Sequence, residues 1–176
     1  MQNLYINLAR KALQYYFKTQ QILKVPSGLP TDLLQKKAGV FVSLHNKNNN
    51  DLRGCIGTFL PTKNNIAEEI INNAISAAID DHRFYPVEEK ELDNLNISVD
   101  VLSELEKVTK IKELDPKKYG IYIKTNDGRS ALLLPDLGGI DTIEQQLQIT
   151  RQKGGILADE SITIYKFHVT RHKYDS

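Results

Sequence analysis

Two adjacent rows of apolar side chains over residues 65–80 constrain the fold more than any other feature of this chain. Ile66, Ile70, Ala74 and Ala78 form one row at four-residue spacing, and Ala67, Ile71, Ile75 and Ile79 form the next. Side chains four apart share a helix face, so paired rows make a stripe too wide for a surface helix and predict one lying deep against a sheet. The sheet is foreshadowed just upstream. Gly39-Val40-Phe41-Val42-Ser43-Leu44 is rich in β-branched and aromatic residues, and its period of two puts Val40, Val42 and Leu44 on one face. His45-Asn46-Lys47-Asn48-Asn49-Asn50-Asp51 then predicts a hairpin connection, because asparagine tolerates left-handed turns. The return strand covers Arg53–Thr58.

Other elements follow from the same periodicities. Leu4, Leu8, Ala12 and Tyr16 predict an amphipathic helix over 3–23, stopped by the proline-containing stretch Lys24–Pro30, with a helical turn over 31–37. Asn96–Ser103 alternates as a half-buried strand. A charged link and a turn at Asp115–Gly120 lead to strand 121–124, the hairpin loop Thr125-Asn126-Asp127-Gly128, and a return over 129–134. Asp141-Thr142-Ile143-Glu144 has capping-box form and opens a third helix closed by Gly154-Gly155, and a last strand spans 162–169. Helices and hairpins intermix without a βαβ rhythm, which predicts an α+β domain with a mixed or antiparallel sheet and packed helices.

The 176 residues fit one domain, with no linker long enough to isolate a second. A net charge of +1 provides no global attraction for nucleic acid or anionic membrane. A single cysteine makes no internal disulfide and suits a reducing compartment. No signal-like segment is seen in Met1–Leu23, and no run nears the ~20 apolar residues of a membrane span. The expectation is a cytoplasmic, soluble protein.

That cysteine stands in Leu52-Arg53-Gly54-Cys55-Ile56-Gly57-Thr58, where a guanidinium, a thiol, two glycines and a hydroxyl share seven positions. Glycines in a strand mark a bulge or a close backbone approach. The segment resembles the signature of the AMMECR-type domain family. Four further segments agree in order and spacing: Gly39–Leu44, Ala77 through Asp81-His82-Arg83-Phe84-Tyr85-Pro86, Ile97-Ser98-Val99 with Leu102-Ser103, and Ala131-Leu132-Leu133-Leu134-Pro135. The resemblance covers roughly residues 3–170. It implies an α+β fold with a main sheet-and-helix lobe and a smaller, mostly β lobe, within one domain over 1–176. It also implies kinship with component A of the AmmeMemoRadiSam system, hence a Memo-like protein and a radical SAM protein as partners. Members commonly carry a tryptophan-containing segment after the Leu-Leu-Pro motif; this chain has Asp136-Leu137-Gly138-Gly139-Ile140 there and no tryptophan anywhere.

Binding to a ligand or partner is expected at Arg53, Gly54, Cys55, Gly57, Thr58, Asp81 and Arg83. Cys55 is a weak candidate nucleophile or metal-binding thiolate. Two-residue spacing puts Arg53 on its strand face, and a nearby cation activates a thiol; yet cysteine often merely fills space. Asp80 and Asp81 at a helix C-terminus oppose the macrodipole, and a salt bridge from Asp81 to an arginine is the favoured explanation. His168 and His172, four apart on a strand, stand ~13 Å from each other, too far to share an ion; with Arg171, Lys173 and Tyr174 they read as a solvated tail, and His45 as exposed. No metal and no cofactor is expected, and no dinucleotide fingerprint, phosphate loop or radical-SAM cysteine cluster occurs. Three functions compete: an accessory or binding component of the AmmeMemoRadiSam set, a small-molecule enzyme using the Arg53/Cys55/Asp81 region, and a nucleic-acid-associated module. The first is preferred, since no acid–base pair stands at fixed spacing and no nucleic-acid motif appears.

Overall fold

The structure is a computed structural model that describes residues 3–173. These residues fall into two compact units. One comprises the chain through Leu102 together with the segment from Thr170; the other is Ser103–Val169.

The first unit is a four-stranded sheet packed with helices. Strands β1 (Val40–Asn46), β2 (Leu52–Thr58), β3 (Leu95–Leu102) and β8 (Val169–His172) lie in the order β2-β1-β3-β8. β1 pairs antiparallel with both β2 and β3. Val40, Val42 and Leu44 are fully buried, as the period of two predicts. Helix α3 (Ile66–Ile79) packs on β1 and β2 and against helix α1 (Leu4–Thr19). Ile70 and Ala74 have no exposed surface and Ile75 keeps 7%, so the double apolar row is the centre of this core. Asn65 caps α3 by accepting from the Glu68 N–H at 2.9 Å. α1 stops at Thr19 rather than at 23, because Gln20 turns left-handed and its N–H closes on the Tyr16 carbonyl. The short helix α2 (Thr31–Gln35) follows Pro30.

The second unit is mostly β. Strands β4 (Glu106–Lys107), β5 (Gly120–Lys124), β6 (Ser130–Leu133) and β7 (Thr163–Phe167) are ordered β4-β7-β5-β6, and helix α4 (Ile143–Lys153) packs on β5 and β6. Leu114, Ile121, Ile123, Leu133, Ile140 and Ile156 form its core. Ile140 belongs to the segment that carries no tryptophan here. The capping box of α4 lies one residue later than predicted: the Thr142 hydroxyl accepts from Gln145 N, and the Gln145 amide oxygen accepts from Thr142 N.

Three departures concern the last strand, the segment after it and the charged link. The strand expected over 162–169 is two strands, β7 and β8, in different sheets. The break at His168 is pinned by Ser103, whose N–H donates to the His168 carbonyl and whose hydroxyl accepts from the His168 N–H. Instead of a solvated tail, β8 is a strand, with Arg171 forked onto Asp100 and His172 stacked on Tyr5 at 3.7 Å; Tyr174 lies outside the described residues. The charged link holds β4 and, near it, a 3₁₀ turn at Ile111–Glu113. β4 and β8 are short and polar and are ordered by partners distant in sequence, whereas the 3₁₀ turn is closed locally, by the Glu113 N–H on the Lys110 carbonyl and the Leu114 N–H on the Ile111 carbonyl.

Candidate functional site

β2 is an edge strand, and outward main-chain groups on an edge need partners. At Cys55 the partner is an ion pair. The Cys55 N–H donates to Asp81 Oδ2 at 2.9 Å, and its carbonyl accepts from Arg83 Nη2 at 3.3 Å. Arg83 grips the same carboxylate through Nε at 2.9 Å and Nη2 at 2.7 Å, while its own N–H reaches Oδ1 at 3.2 Å. The Asp81–Arg83 pair thus stands where a neighbouring strand would. This resolves the misfit of an acid beyond the C-terminus of α3: the carboxylate answers an arginine and two amides. It is also why Asp81 stays charged although only 3% of its side chain is exposed. Hydrogen bonds from Arg83 hold its carboxyl well below the usual carboxylate range, the Cys55 and Arg83 amides add to this, and burial opposes it. Asp81 in turn raises the Arg83 guanidinium.

Arg53 does not stand guard over the sulfur as its spacing predicts. The β1–β2 ladder skips from Leu44↔Gly54 to His45↔Leu52, leaving Arg53 as the extra residue of a bulge, a device that re-aims a side chain. Its Nε and Nη2 meet the two Glu91 oxygens at 2.9 and 3.0 Å. Nη1 holds the Tyr85 carbonyl at 2.8 Å, and Nη2 reaches the Pro86 carbonyl at 3.3 Å. The Cys55 sulfur, half-buried, accepts instead from the Ser43 hydroxyl at 3.2 Å on the neighbouring strand. Among the described residues no histidine or carboxylate is hydrogen-bonded to it.

Gly54 and Thr58 lie on the core face of the sheet, paired with Leu44 and Val40, and Gly57 lies against Phe41 on the opposite face. A Cβ on Gly54 would sit 2.0 Å from the Ala77 carbonyl oxygen, so the missing side chain lets α3 approach the sheet. A Cβ on Gly57 would strike the Phe41 ring at 2.2 Å. The Thr58 hydroxyl donates to Glu69 at 2.6 Å, and Asn73 Nδ2 donates to the hydroxyl at 3.2 Å and to the Val40 carbonyl at 2.9 Å. Glu69 is 1% exposed and accepts also from Thr62 N, Thr62 Oγ1 and Lys63 N, four uncharged donors in all.

The structure therefore brings Arg53, Cys55, Asp81 and Arg83 into one region and leaves Gly54, Gly57 and Thr58 to packing. Arg53, His82, Arg83, Phe84 and Tyr85 line an open cleft of ≈ 670 Å³. A second, of ≈ 520 Å³, lies between the Asn46–Asn49 turn and Lys90, Glu91 and Asn94. Sequence reasoning missed Glu91 and Ser43. Glu91 carried a faint signal: it follows Pro86 in an acidic first turn, that of the 3₁₀ helix Glu89–Asn94, where its carboxylate accepts from Glu88 N. Ser43 carried none. His45 is half-buried rather than exposed, and burial, then Arg171, lowers its basicity. His168 lies against Tyr119 at 4.7 Å and His172 against Tyr5, each engaged separately. Among the described residues, no three His, Cys, Asp or Glu side chains gather as a metal site, and no helix is long and apolar enough to cross a membrane.

Several known proteins are similar to this chain as a whole. A Thermotoga maritima protein is 46% identical over 170 residues, covering 96% of this chain and 97% of the relative. Protein CA_C1420 of Clostridium acetobutylicum is 49% identical over 170 residues, but the match spans only 36% of that longer relative. Among solved structures, protein PH0010 of Pyrococcus horikoshii superposes with a TM-score of 0.85 at 34% identity, covering 95% of this chain and 88% of that one. The AMMECR1 family model matches residues 6–172, a span that contains the β2 motif, the Asp81–Arg83 clamp and both sheets, and the chain belongs to the AMMECR1 family.

Proposed function

We propose that the protein is an accessory, binding component that works beside a Memo-like protein and a radical SAM protein, as its resemblance to the AmmeMemoRadiSam system implies, and presents a small molecule to them. One observation carries the reading. The charged groups of the motif brace a turn rather than confront a reaction centre: Arg53 is engaged by Glu91 and two carbonyls, and Arg83 by Asp81 and Cys55. What this scaffold holds out is the 82–85 turn, with Tyr85 90% exposed while its carbonyl is fixed by Arg53. A large aromatic ring on a fixed main chain suits recognition, because little freedom remains to be lost on binding. The length of the Clostridium relative supports the same view, since a module matching 36% of a longer chain occurs there joined to other polypeptide.

The test is co-purification with separately produced Memo-like and radical SAM proteins, with mass spectrometry of retained small molecules. The wild type retains a partner, and Tyr85→Ala releases it. Retention of neither partner, or equal retention by both forms, refutes the reading.

A further inference from the structure

We infer that the cleft between Arg53 and the His82–Tyr85 turn binds a small aromatic anion, a carboxylate or phosphate carried on a planar ring, with Arg83 as the donor that recognises its charge. The inference rests on the accessory reading only in taking this turn as the binding surface.

The ion pair at its base is unequally exposed. The Asp81 side chain is 3% exposed and that of Arg83 49%, so the anion is hidden while half of the cation faces solvent. The cleft walls hold two arginines and a histidine, and neither Asp81 nor Glu91 lines it. A ligand there meets donors and no carboxylate. Arg83 keeps a donor to offer: Nε and Nη2 are engaged, whereas Nη1 has no partner among the described residues. The guanidinium is already oriented by the Asp81 fork and stands 5.4 Å from the Phe84 ring centroid, so ordering it costs little when a ligand arrives.

The walls beside that donor are aromatic. Tyr85 exposes nearly its whole ring from a main chain pinned by Arg53, and Phe84 lies under Arg83. Rings favour offset or edge-to-face contact with another ring, which selects a planar group. The volume of ≈ 670 Å³ falls within the usual range for small-molecule sites. Charge recognition on one side and a stacking surface on the other define the ligand class.

Nuclear magnetic resonance of ¹⁵N-labelled protein reads this directly, with phenyl phosphate, benzoate, inorganic phosphate and neutral benzyl alcohol as probes. Phenyl phosphate or benzoate shifts the Arg83 Nε–H and the 82–85 amides saturably, and the tighter of the two identifies the headgroup. Inorganic phosphate binds about tenfold more weakly, since it cannot stack. Benzyl alcohol does not saturate. Tyr85→Ala weakens the aromatic anions about tenfold and leaves inorganic phosphate unchanged; Arg83→Gln abolishes all binding. Because Arg83→Gln also loosens the Asp81 clamp, Tyr85→Ala, which removes a ring almost wholly in solvent, keeps the test decisive. Saturation by benzyl alcohol equal to that by the anions, shifts elsewhere than 82–85, or no saturable binding by either aromatic anion overturns the inference. If partners co-purify yet the anions fail, the ligand class falls and the accessory reading stands; anion binding without partners gives the reverse.

Discussion

Removing the Asp81 carboxylate tests the edge-strand clamp most severely. Asp81→Ala deletes the acceptor of four hydrogen bonds: two from the Arg83 side chain, one from the Arg83 N–H and one from the Cys55 N–H. Breaking a fully buried ion pair costs ~3–5 kcal/mol, chiefly through the stranded charge. Arg83 is half exposed and regains water, which removes much of that penalty. The Cys55 amide at the sheet edge regains less. A loss of about 2–3 kcal/mol is expected, in line with one or two charge-assisted bonds. Urea denaturation followed by circular dichroism reads this as a midpoint lowered by about 1 M with an unchanged slope. A second arm uses pH. The folded Asp81 carboxyl lies below its ordinary 3.8, so the unfolded chain takes up the proton first as acid is added. The stability contributed by the charged form is fully present above pH ~4 and is lost as pH falls toward the folded value. The gap between wild type and Asp81→Asn therefore narrows steadily below about pH 4. A midpoint shift worth less than ~0.5 kcal/mol, or a gap constant down to about pH 2, refutes the clamp.

Three further outcomes follow. Gly54→Ala drives a methyl into the Ala77 carbonyl and destabilises by about 3 kcal/mol or more, measured by urea midpoint; an effect under ~1 kcal/mol contradicts the close approach of α3. Cys55→Ser keeps both main-chain bonds to the clamp and the polar contact with Ser43, so stability changes by less than ~1 kcal/mol and the Arg83 Nε–H resonance stays in place; displacement of that resonance shows that the sulfur itself organises the site. His172 is less basic than the ordinary 6.5 because of burial, with Asp100 opposing, so the unfolded chain binds its proton first and stability falls as pH drops below about 6.5; His172→Phe, which preserves the stack on Tyr5, flattens that part of the thermal-melt profile, and an unchanged profile rejects the assignment.

The sequence by itself determined the elements whose signal is local. The double row of α3 and the alternation of β1 specify which faces are buried, because burial of a regular element repeats every two or four residues along one chain segment. The β2 motif carried the family resemblance, and the acids after α3 announced that a compensating cation was needed. Which cation answered, and where Arg53 pointed, were decided only by the tertiary structure. Cys55 lies 26 positions from Asp81, Arg53 38 from Glu91, and Arg171 71 from Asp100. No periodicity spans such distances; the first two pairs exist because the packed core of the first unit holds the β2 edge against the segment after α3, and the third because β8 comes to lie beside β3. β8 and β4 were invisible for the same reason. A short polar strand has little preference of its own, and its order comes from the neighbour with which it pairs.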